Sequence, residues 1–188
     1  MVKPSQNKSL ETIAVYWEHR VKTYGFQTLE ELSLIEVTLP LIRIADLGLA
    51  VQKIDLPEAG FHLTLIEQSG GHMCWFYLLT AQELEHAISR HITELISQGA
   101  GESVSLKSPV DLIFFQGPHY GDRYGIAEAA FGALKTCGMP ILLAACSQSC
   151  IYIVIPCGKA KETASLLAQV FEVPKKIRSR KVSSKSKR

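Results

Sequence analysis

Hydrophobic and polar positions follow two different periods along this chain, and each period predicts one kind of secondary structure. Runs of apolar, β-prone residues with alternating or continuous hydrophobicity predict buried strands. These strands occupy residues 32–39, 61–66, 72–79, 110–116, 139–145 and 151–155. Apolar residues at spacings of three and four predict amphipathic helices instead. These helices occupy residues 9–24, 46–55, 80–97, 126–137 and 160–173.

Sequence signals at the helix ends support several of these bounds. Gly138 follows helix 126–137 and can end it in the left-handed conformation. Asp46 is a plausible N-cap for the second helix. Thr80 and Glu83 have the spacing of a capping box, in which each side chain accepts a hydrogen bond from the backbone N–H of the other residue. The second and third helices are therefore predicted to start at Asp46 and Thr80.

Polar and glycine-containing segments predict the connections between these elements. Residues 68–71 and 146–150 predict hairpin turns between consecutive strands. Residues 28–31 predict a short turn or helix that leads into the first strand, and residues 103–106 predict a short edge strand. Since tight hairpins join antiparallel strands, the sheets are predicted to be antiparallel.

The predicted elements repeat once along the chain. Residues 32–106 and residues 107–174 each follow the order strand, helix, strand, hairpin, strand, helix, although few residues are identical between them. A repeated order of elements predicts repeated structural units. We therefore expect an α+β protein with two βαββα units, whose antiparallel sheets carry helices on one face. Residues 1–31 would form a helical extension before them.

Glycines mark the first helix of the second unit. Gly125 opens this helix, Gly138 ends it, and the segment 125–138 is rich in alanine. The βαββα unit resembles an ACT domain, a ferredoxin-like module that senses small molecules in amino-acid metabolism. The tandem arrangement resembles the regulatory region of aspartokinases, which carries two such units. Gln68, eight residues after Gly60, matches the glutamine at the end of the second strand in that family's first unit.

Two features depart from the family pattern. Gly48 lies only 12 residues before Gly60, whereas 13 residues separate Gly125 from Gly138. The proline that usually precedes the helix-opening glycine is replaced by leucine in the first unit and by tyrosine in the second. These departures fall in the segment that would contact a ligand, so they bear on which effector is bound.

The resemblance implies a ligand site at the start of the first helix of each unit. Main-chain N–H groups there can hold a carboxylate, because their partial positive charges add to that of the helix dipole. By position the implied ligand-binding residues are Asp46, Gly48, Leu49 and Gln68 in the first unit and Tyr124, Gly125, Ile126 and Ser147 in the second. A plain helix cap explains Asp46 equally well, and a polar hairpin position explains Gln68 equally well. Tyr120 and Tyr124 would cover either such a pocket or the sheet edge.

No catalytic motif accompanies the implied sites. The sequence lacks a Walker loop, a Gly-x-Ser-x-Gly elbow and a His-Glu-x-x-His motif, and we predict no cofactor and no metal site. The resemblance covers the regulatory region of aspartokinases and not their kinase domain. It therefore implies a non-catalytic regulatory protein that binds an amino-acid effector, forms a homodimer and can act on a separate metabolic enzyme.

Composition agrees with a cytoplasmic protein. The 188 residues are 47% hydrophobic, which is enough for one sizeable core or two small ones. No run reaches the ~18 apolar residues of a membrane-spanning helix, and the N-terminus lacks the apolar stretch of a signal peptide. The five cysteines are an odd number without a Cys-x-x-Cys pair, which favours reduced thiols in the cytoplasm.

The net charge of +2 conceals an uneven distribution. Eight of the 20 Lys and Arg residues lie in residues 175–188, which hold no acidic residue, so the rest of the chain carries 12 basic against 18 acidic residues. This tail has almost nothing to bury and is predicted to be disordered. We expect it to keep the protein in solution. The alternative is a dimeric interaction or nucleic-acid-associated protein that binds through the tail by counterion release.

Overall fold

The computed structural model describes residues 20–54, 60–68, 71–96, 101–118, 120–121 and 123–173. The predicted N-terminal helix up to residue 19 and the basic tail 175–188 lie outside the described residues. Within the described ranges, no helix has both the length and the hydrophobicity that crossing a membrane requires.

The described part of the chain forms eight strands and four α-helices. The strands are β1 (Val21–Lys22), β2 (Phe26–Pro40), β3 (Phe61–Gln68), β4 (Met73–Ala81), β5 (Ser103–Gln116), β6 (Leu143–Cys146), β7 (Cys150–Pro156) and β8 (Phe171–Glu172). The helices are α1 (Ile44–Gln52), α2 (Glu85–Ile96), α3 (Ile126–Thr136) and α4 (Ala160–Val170). Short 3-10 turns at Leu41–Arg43 and Gln82–Leu84 lead into α1 and α2.

Six of these strands form one antiparallel sheet. Its strand order is β3-β4-β2-β5-β7-β6, while β1 and β8 form a separate parallel pair. The pairings β3–β4 and β6–β7 are the two hairpins that the sequence predicts. The predicted α+β fold with antiparallel strands is therefore confirmed.

Strands β2 and β5 run through both halves of the sheet. The second half of β2 pairs with β4, while its first half pairs with the second half of β5, with Phe26 opposite Phe115. From Val110 onward, β5 also pairs with β7 on its other side. Both predicted unit boundaries, after residues 31 and 106, fall inside continuous strands, and the division into units stays a prediction.

A bulge separates the two halves of β2. The register against β5 shifts on both sides of Leu32, and Glu31 has a φ of 58°, which non-glycine residues rarely adopt. One carboxyl oxygen of Asp111 on β5 accepts the Glu31 N–H at 3.3 Å, and the other accepts the Gly158 N–H at 2.8 Å. Asp111 is fully buried, so it fastens the bulge and the turn before α4 to the centre of the sheet.

The helices cover one face of the sheet. Ile35 of β2 packs with Ile88 of α2 in one core, and Ile113 of β5 packs with Leu134 of α3 and Leu167 of α4 in another. All five side chains are completely buried. The apolar stripes of the helices therefore face the sheet, as their amphipathic spacing predicts.

The opposite face of the sheet is also apolar. Leu34, Leu79, Leu112 and Val154 belong to a third buried cluster, which contains no residue of the four helices. They alternate with the helix-facing positions, because successive side chains of a strand point to opposite faces. Since this cluster draws on strands of both halves, all four helices lie on the same side of the sheet.

The structure has no helix at residues 20–24, where the sequence predicts the end of the N-terminal helix. Val21–Lys22 form β1 there, parallel to β8 at Phe171–Glu172. The last helix is correspondingly shorter than predicted, since α4 ends at Val170. Val21 of β1 and Phe171 of β8 are both buried in the core beneath α3 and α4. Tertiary packing therefore overrides the local helical spacing in these two segments.

Two further segments are strand where the sequence predicts otherwise. Residues 28–31 belong to β2 and form neither a turn nor a helix, because Thr28 pairs with Ile113 across the sheet. Residues 103–106 are not a short edge strand, since they begin the 14-residue strand β5. Both errors have the same origin, because long-range strand pairing decides the structure of a segment with weak local preference.

Both predicted helix caps are wrong. Helix α1 begins at Ile44, so Asp46 lies inside its first turn, where the carboxylate accepts a hydrogen bond from Arg43 Nε at 3.2 Å. Thr80 lies within β4, and its hydroxyl donates to the Gly60 carbonyl at 3.4 Å. Neither helix has a described side-chain cap at its start, so the capping pattern in the sequence does not mark a helix end at these positions.

Candidate functional site

The predicted first-unit residues point to different surfaces of α1. Asp46 and Leu49 line a cavity of about 300 Å³ between α1 and α2, together with Lys53 and His91. Gly48 lines a separate apolar cavity of about 310 Å³ between α1 and the outer strands. The structure therefore divides these three residues between two surfaces.

The main-chain N–H of Gly48 is badly placed to hold a carboxylate. Gly48 is the fifth residue of α1, and only the first four N–H groups of a helix lack an intrahelical partner. Gln68 ends β3, and its side-chain amide donates to the Gly71 carbonyl at 3.2 Å within the hairpin. The first-unit set is therefore not assembled into one site in this structure.

The predicted second-unit residues all line one cavity of about 230 Å³, which we call the α3 cavity. Its described lining residues are Tyr120, Arg123, Tyr124, Gly125, Ile126, Ala127, Cys146, Ser147 and Ile151. The sheet brings them together, because Cys146 on β6 pairs with Ile151 on β7, and Ile151 pairs with Phe115 near the end of β5. The β6–β7 hairpin and the start of α3 consequently lie at the same end of the sheet.

The start of α3 lies at the edge of this cavity. Gly125 is the N-cap, with a φ of 81° that favours glycine, and its carbonyl accepts the Ala129 N–H at 2.9 Å. No heavy atom lies within 4 Å of the position that a Cβ of Gly125 would occupy. The N–H groups of Ile126 and Ala127, which both line the cavity, have no partner within the helix because they belong to its first turn.

The hydroxyl of Ser147 is already used in the hairpin. Ser147 Oγ accepts the Cys150 N–H at 3.0 Å and donates to the Cys150 carbonyl at 3.2 Å. The N–H of Ser149 also points to this oxygen at 3.4 Å. Ser147 therefore fixes the shape of the turn that forms the rim of the α3 cavity.

Tyr120 contributes a buried hydroxyl to the surroundings of the α3 cavity. Burial raises the pKa of Tyr120, an effect that the nearby Thr23 hydroxyl partly opposes. Thr23 Oγ1 donates instead to the Gln116 carbonyl at 2.8 Å. The Tyr120 hydroxyl has no hydrogen-bond partner among the described residues, and the residue is only 9% exposed.

Arg123, Ala127, Cys146 and Ile151 complete the lining without having been predicted from the sequence. Ala127 and Ile151 make part of the wall apolar. Partial desolvation, followed by the effect of Cys150, raises the pKa of the Cys146 thiol, although the residue as a whole is exposed. The predicted hairpin 146–150 could have indicated Cys146, because a hairpin at the helix start brings its first residue to the site.

No protein-family model matches this chain, and no curated protein sequence matches it significantly. Its fold, however, matches solved structures. The regulatory subunit of aspartate kinase from Thermus flavus superposes with a TM-score of 0.69 at 12% identity, over 79% of this chain and 98% of that one. The chain has the fold of an aspartate kinase regulatory region. The resemblance that the sequence suggests is therefore confirmed at the level of the fold.

Two aspartate kinases match this fold over part of their own length. Aspartate kinase from Synechocystis matches with a TM-score of 0.71 at 14% identity, over 85% of this chain and 28% of the kinase. E. coli aspartokinase III in complex with lysine and aspartate matches with a TM-score of 0.54 at 14% identity, over 84% of this chain and 35% of the kinase. The chain therefore spans about a third of these kinases, and nearly all of the Thermus flavus regulatory subunit.

In this aspartate kinase regulatory fold, the α3 cavity is suited to a small anion with an apolar substituent. The positive end of the α3 dipole favours negative charge near the cavity, and Arg123 is among the lining residues. The side chains of Ile126 and Ile151 offer an apolar surface beside it. The described residues contain no group of His, Cys, Asp and Glu side chains arranged to hold a metal ion.

Proposed function

We propose that this chain is a regulatory protein that binds an amino acid in the α3 cavity and has no catalytic activity of its own. The observation that carries the proposal is the convergence of Tyr124, Gly125, Ile126 and Ser147 on one cavity at a helix start. The fold supports it, because E. coli aspartokinase III, which has this fold, was crystallised with lysine and aspartate. The effector carboxylate would accept hydrogen bonds from the N–H groups of Ile126 and Ala127.

The cavity also limits the side chain of the effector. With a volume of about 230 Å³, it lies below the ~300 Å³ at which drug-sized sites begin, so only a small ligand fits. Ile126, Ala127 and Ile151 would contact the part of the ligand that leads away from the carboxylate. A small aliphatic amino acid therefore matches the described walls better than a large charged one.

A homodimer, and association with a separate metabolic enzyme, belong to the same proposal. Apolar side chains around α1 and the outer strand β3 are exposed, with Ile42 at 90%, Leu49 at 56% and Ile66 at 51%. Exposed apolar patches of this kind are typical of protein–protein contacts. The nucleic-acid alternative depends on residues 175–188, and no described residue supports it.

The amino-acid proposal predicts ligand-dependent stability that depends on Gly125. Each of the twenty amino acids should be tested for its effect on the thermal midpoint of the full chain. At 100 times its Kd, a true effector stabilises the folded state by about 2.7 kcal/mol. We expect at least one amino acid to raise the midpoint, and we expect Gly125→Ala to abolish or strongly reduce this shift, because a methyl group would stand between the ligand and the α3 amides.

Gly138→Ala is the matched control for this experiment. Gly138 ends the same helix, has a φ of 65°, and likewise has no heavy atom within 4 Å of the position that its Cβ would occupy. Both substitutions therefore carry a similar conformational cost of about 1–2 kcal/mol, but only Gly125 lines the α3 cavity. If no amino acid shifts the midpoint, or if both variants respond like the parent, the proposal is wrong.

A further inference from the structure

The helix-free face of the sheet carries a further cavity, of about 290 Å³, which we call the sheet-face cavity. Its floor includes a row of three side chains from neighbouring strands, since Gln27 on β2 pairs with Phe114 on β5 and Phe114 pairs with Tyr152 on β7. Phe114 and Tyr152 pack against the buried cluster of that face. Because directly paired residues share a face, all three side chains point away from the helices.

The next row of the sheet leaves space for a ligand. Gln116 on β5 pairs with Cys150 on β7. The Gln116 carbonyl accepts the Tyr24 N–H at 2.8 Å. This hydrogen bond places Gly25, which lies just before β2, beside Gln116. Gly25 has a φ of 121°, and no heavy atom lies within 4 Å of the position that its Cβ would occupy. The missing side chain at Gly25 therefore opens the floor of the cavity next to Phe114.

An aromatic stack forms one wall of the sheet-face cavity. The rings of Phe114 and Tyr152 are stacked, with centroids 6.0 Å apart and an angle of 19° between their planes. Tyr152 lies on the β7 side of Phe114 and Gln27 lies on its β2 side, while Gly25 lines the same cavity two residues before Gln27. A planar ligand in this cavity could pack against the aromatic pair.

The polar groups of this cavity are uncharged. Among the described residues that line it, Gln27 and Gln116 offer carboxamides, Ser149, Tyr24 and Tyr152 offer hydroxyls, and none carries a formal charge. A carboxamide presents a donor and an acceptor side by side, which matches the edge of a ring that itself alternates donors and acceptors. Tyr24 is 64% exposed at the rim.

We propose that the sheet-face cavity binds an uncharged planar heterocycle with donors and acceptors on its edge, of the class of the nucleobases. Stacking on an aromatic face together with hydrogen bonds to the base edge is how proteins recognise unpaired bases. The aromatic pair of Phe114 and Tyr152 supplies the stacking surface, Gln27 and Gln116 supply the hydrogen bonds, and Gly25 supplies the space. The ligand is thus a second effector, bound on the opposite face of the sheet from the amino acid.

Calorimetric titration with adenosine, guanosine, cytidine and uridine tests this proposal. We expect at least one nucleoside to bind saturably to the full chain, and Gln27→Leu to weaken that binding by about tenfold or more, since a buried base edge would lose its partner. Gln27 and Gln116 are exposed, so neither substitution should unfold the protein, and Gln116→Leu provides a second, independent variant. The corresponding nucleoside monophosphate should bind no more tightly, because no cation lines the described part of the cavity.

Gln52→Leu is the matched control, since Gln52 ends α1, is exposed and lies outside the cavity. The affinity of the Gln52→Leu variant for the nucleoside should stay within about twofold of the affinity of the parent protein. The proposal is overturned if none of the four nucleosides binds saturably, or if both glutamine variants in the cavity bind as tightly as the control. The result is independent of the amino-acid site, because Gln27 does not line the α3 cavity.

Discussion

Replacing Phe115 with alanine should lower the free energy of unfolding by about 3–5 kcal/mol. Phe115 is 1% exposed, and its ring makes edge contacts with Phe26 at 5.1 Å, with Phe171 at 5.0 Å and with Tyr120 at 6.2 Å between centroids. The substitution would therefore leave a cavity and break three aromatic contacts in one step. Urea denaturation followed by circular dichroism measures the change.

Tyr124→Ala is the control for the loss of an aromatic ring. Tyr124 is 98% exposed, so its removal should change the free energy of unfolding by less than ~0.5 kcal/mol. The contacts of Phe115 join the two ends of the described chain, since Phe26 lies on β2 and Phe171 on β8. If Phe115→Ala were as stable as Tyr124→Ala, the aromatic cluster around Phe115 would not hold the second half of the sheet together.

Replacing Asp111 with alanine should cost about 1–3 kcal/mol of stability. The reason differs from that for Phe115, because the side chain is polar and fully buried. Without its carboxyl group, the N–H groups of Glu31 and Gly158 would lose the partners that they have at 3.3 Å and 2.8 Å. Glu31 and Gly158 are themselves exposed residues, so water can replace part of each lost hydrogen bond, and the total loss should be about 1–3 kcal/mol. Chemical denaturation at constant pH is the appropriate measurement.

Glu94→Ala tests whether this effect is specific to the buried acid. Glu94 is 69% exposed and forms only a 4.0 Å ion pair with Arg90 on the surface of α2, so its loss should cost less than ~0.5 kcal/mol. The stability loss of Asp111→Asn should lie between those of Asp111→Ala and Glu94→Ala, because one oxygen remains to accept a hydrogen bond. An Asp111→Ala variant as stable as Glu94→Ala would mean that the bulge and the turn before α4 do not depend on Asp111.

The element order could be predicted from the sequence because most elements have a strong local pattern. The strand at 61–66 alternates, its partner at 72–79 is almost continuously apolar, and the turn between them contains two glycines. These segments form β3 and β4. Helix 126–137 has apolar residues at helical spacing and ends at Gly138, whose φ of 65° fits the predicted left-handed end. In these segments local preference and tertiary structure agree.

The sharing of β2 and β5 between the two halves could not be predicted, because it depends on contacts between distant residues. The segment 28–31 contains leucine and two glutamates, which favour helix, yet it is held in β2 by pairing with β5. The positive φ of Glu31 is equally invisible in the sequence. The structure stabilises this conformation of Glu31 because Asp111, 80 residues away, accepts the Glu31 N–H.

The same contrast explains the two predicted ligand sites. In the second half, Gly125 carries a backbone conformation that favours glycine, so the helix start could be located from the residue type alone. In the first half, α1 starts at Ile44 without a capping side chain or a glycine. The sequence therefore predicts a helix start at Asp46 and Gly48, whereas the helix starts two to four residues earlier in the structure.

Two-dimensional amide NMR of the isotope-labelled full chain, titrated with each of the twenty amino acids, tests the central claim most directly. If an amino acid binds in the α3 cavity, the amide signals of Gly125, Ile126 and Ala127 should shift most and should saturate, because their N–H groups surround its carboxylate. The signals of α1 should remain nearly unchanged. The account is contradicted if no amino acid produces saturable shifts, or if the largest shifts lie on α1 around Asp46 and Gly48.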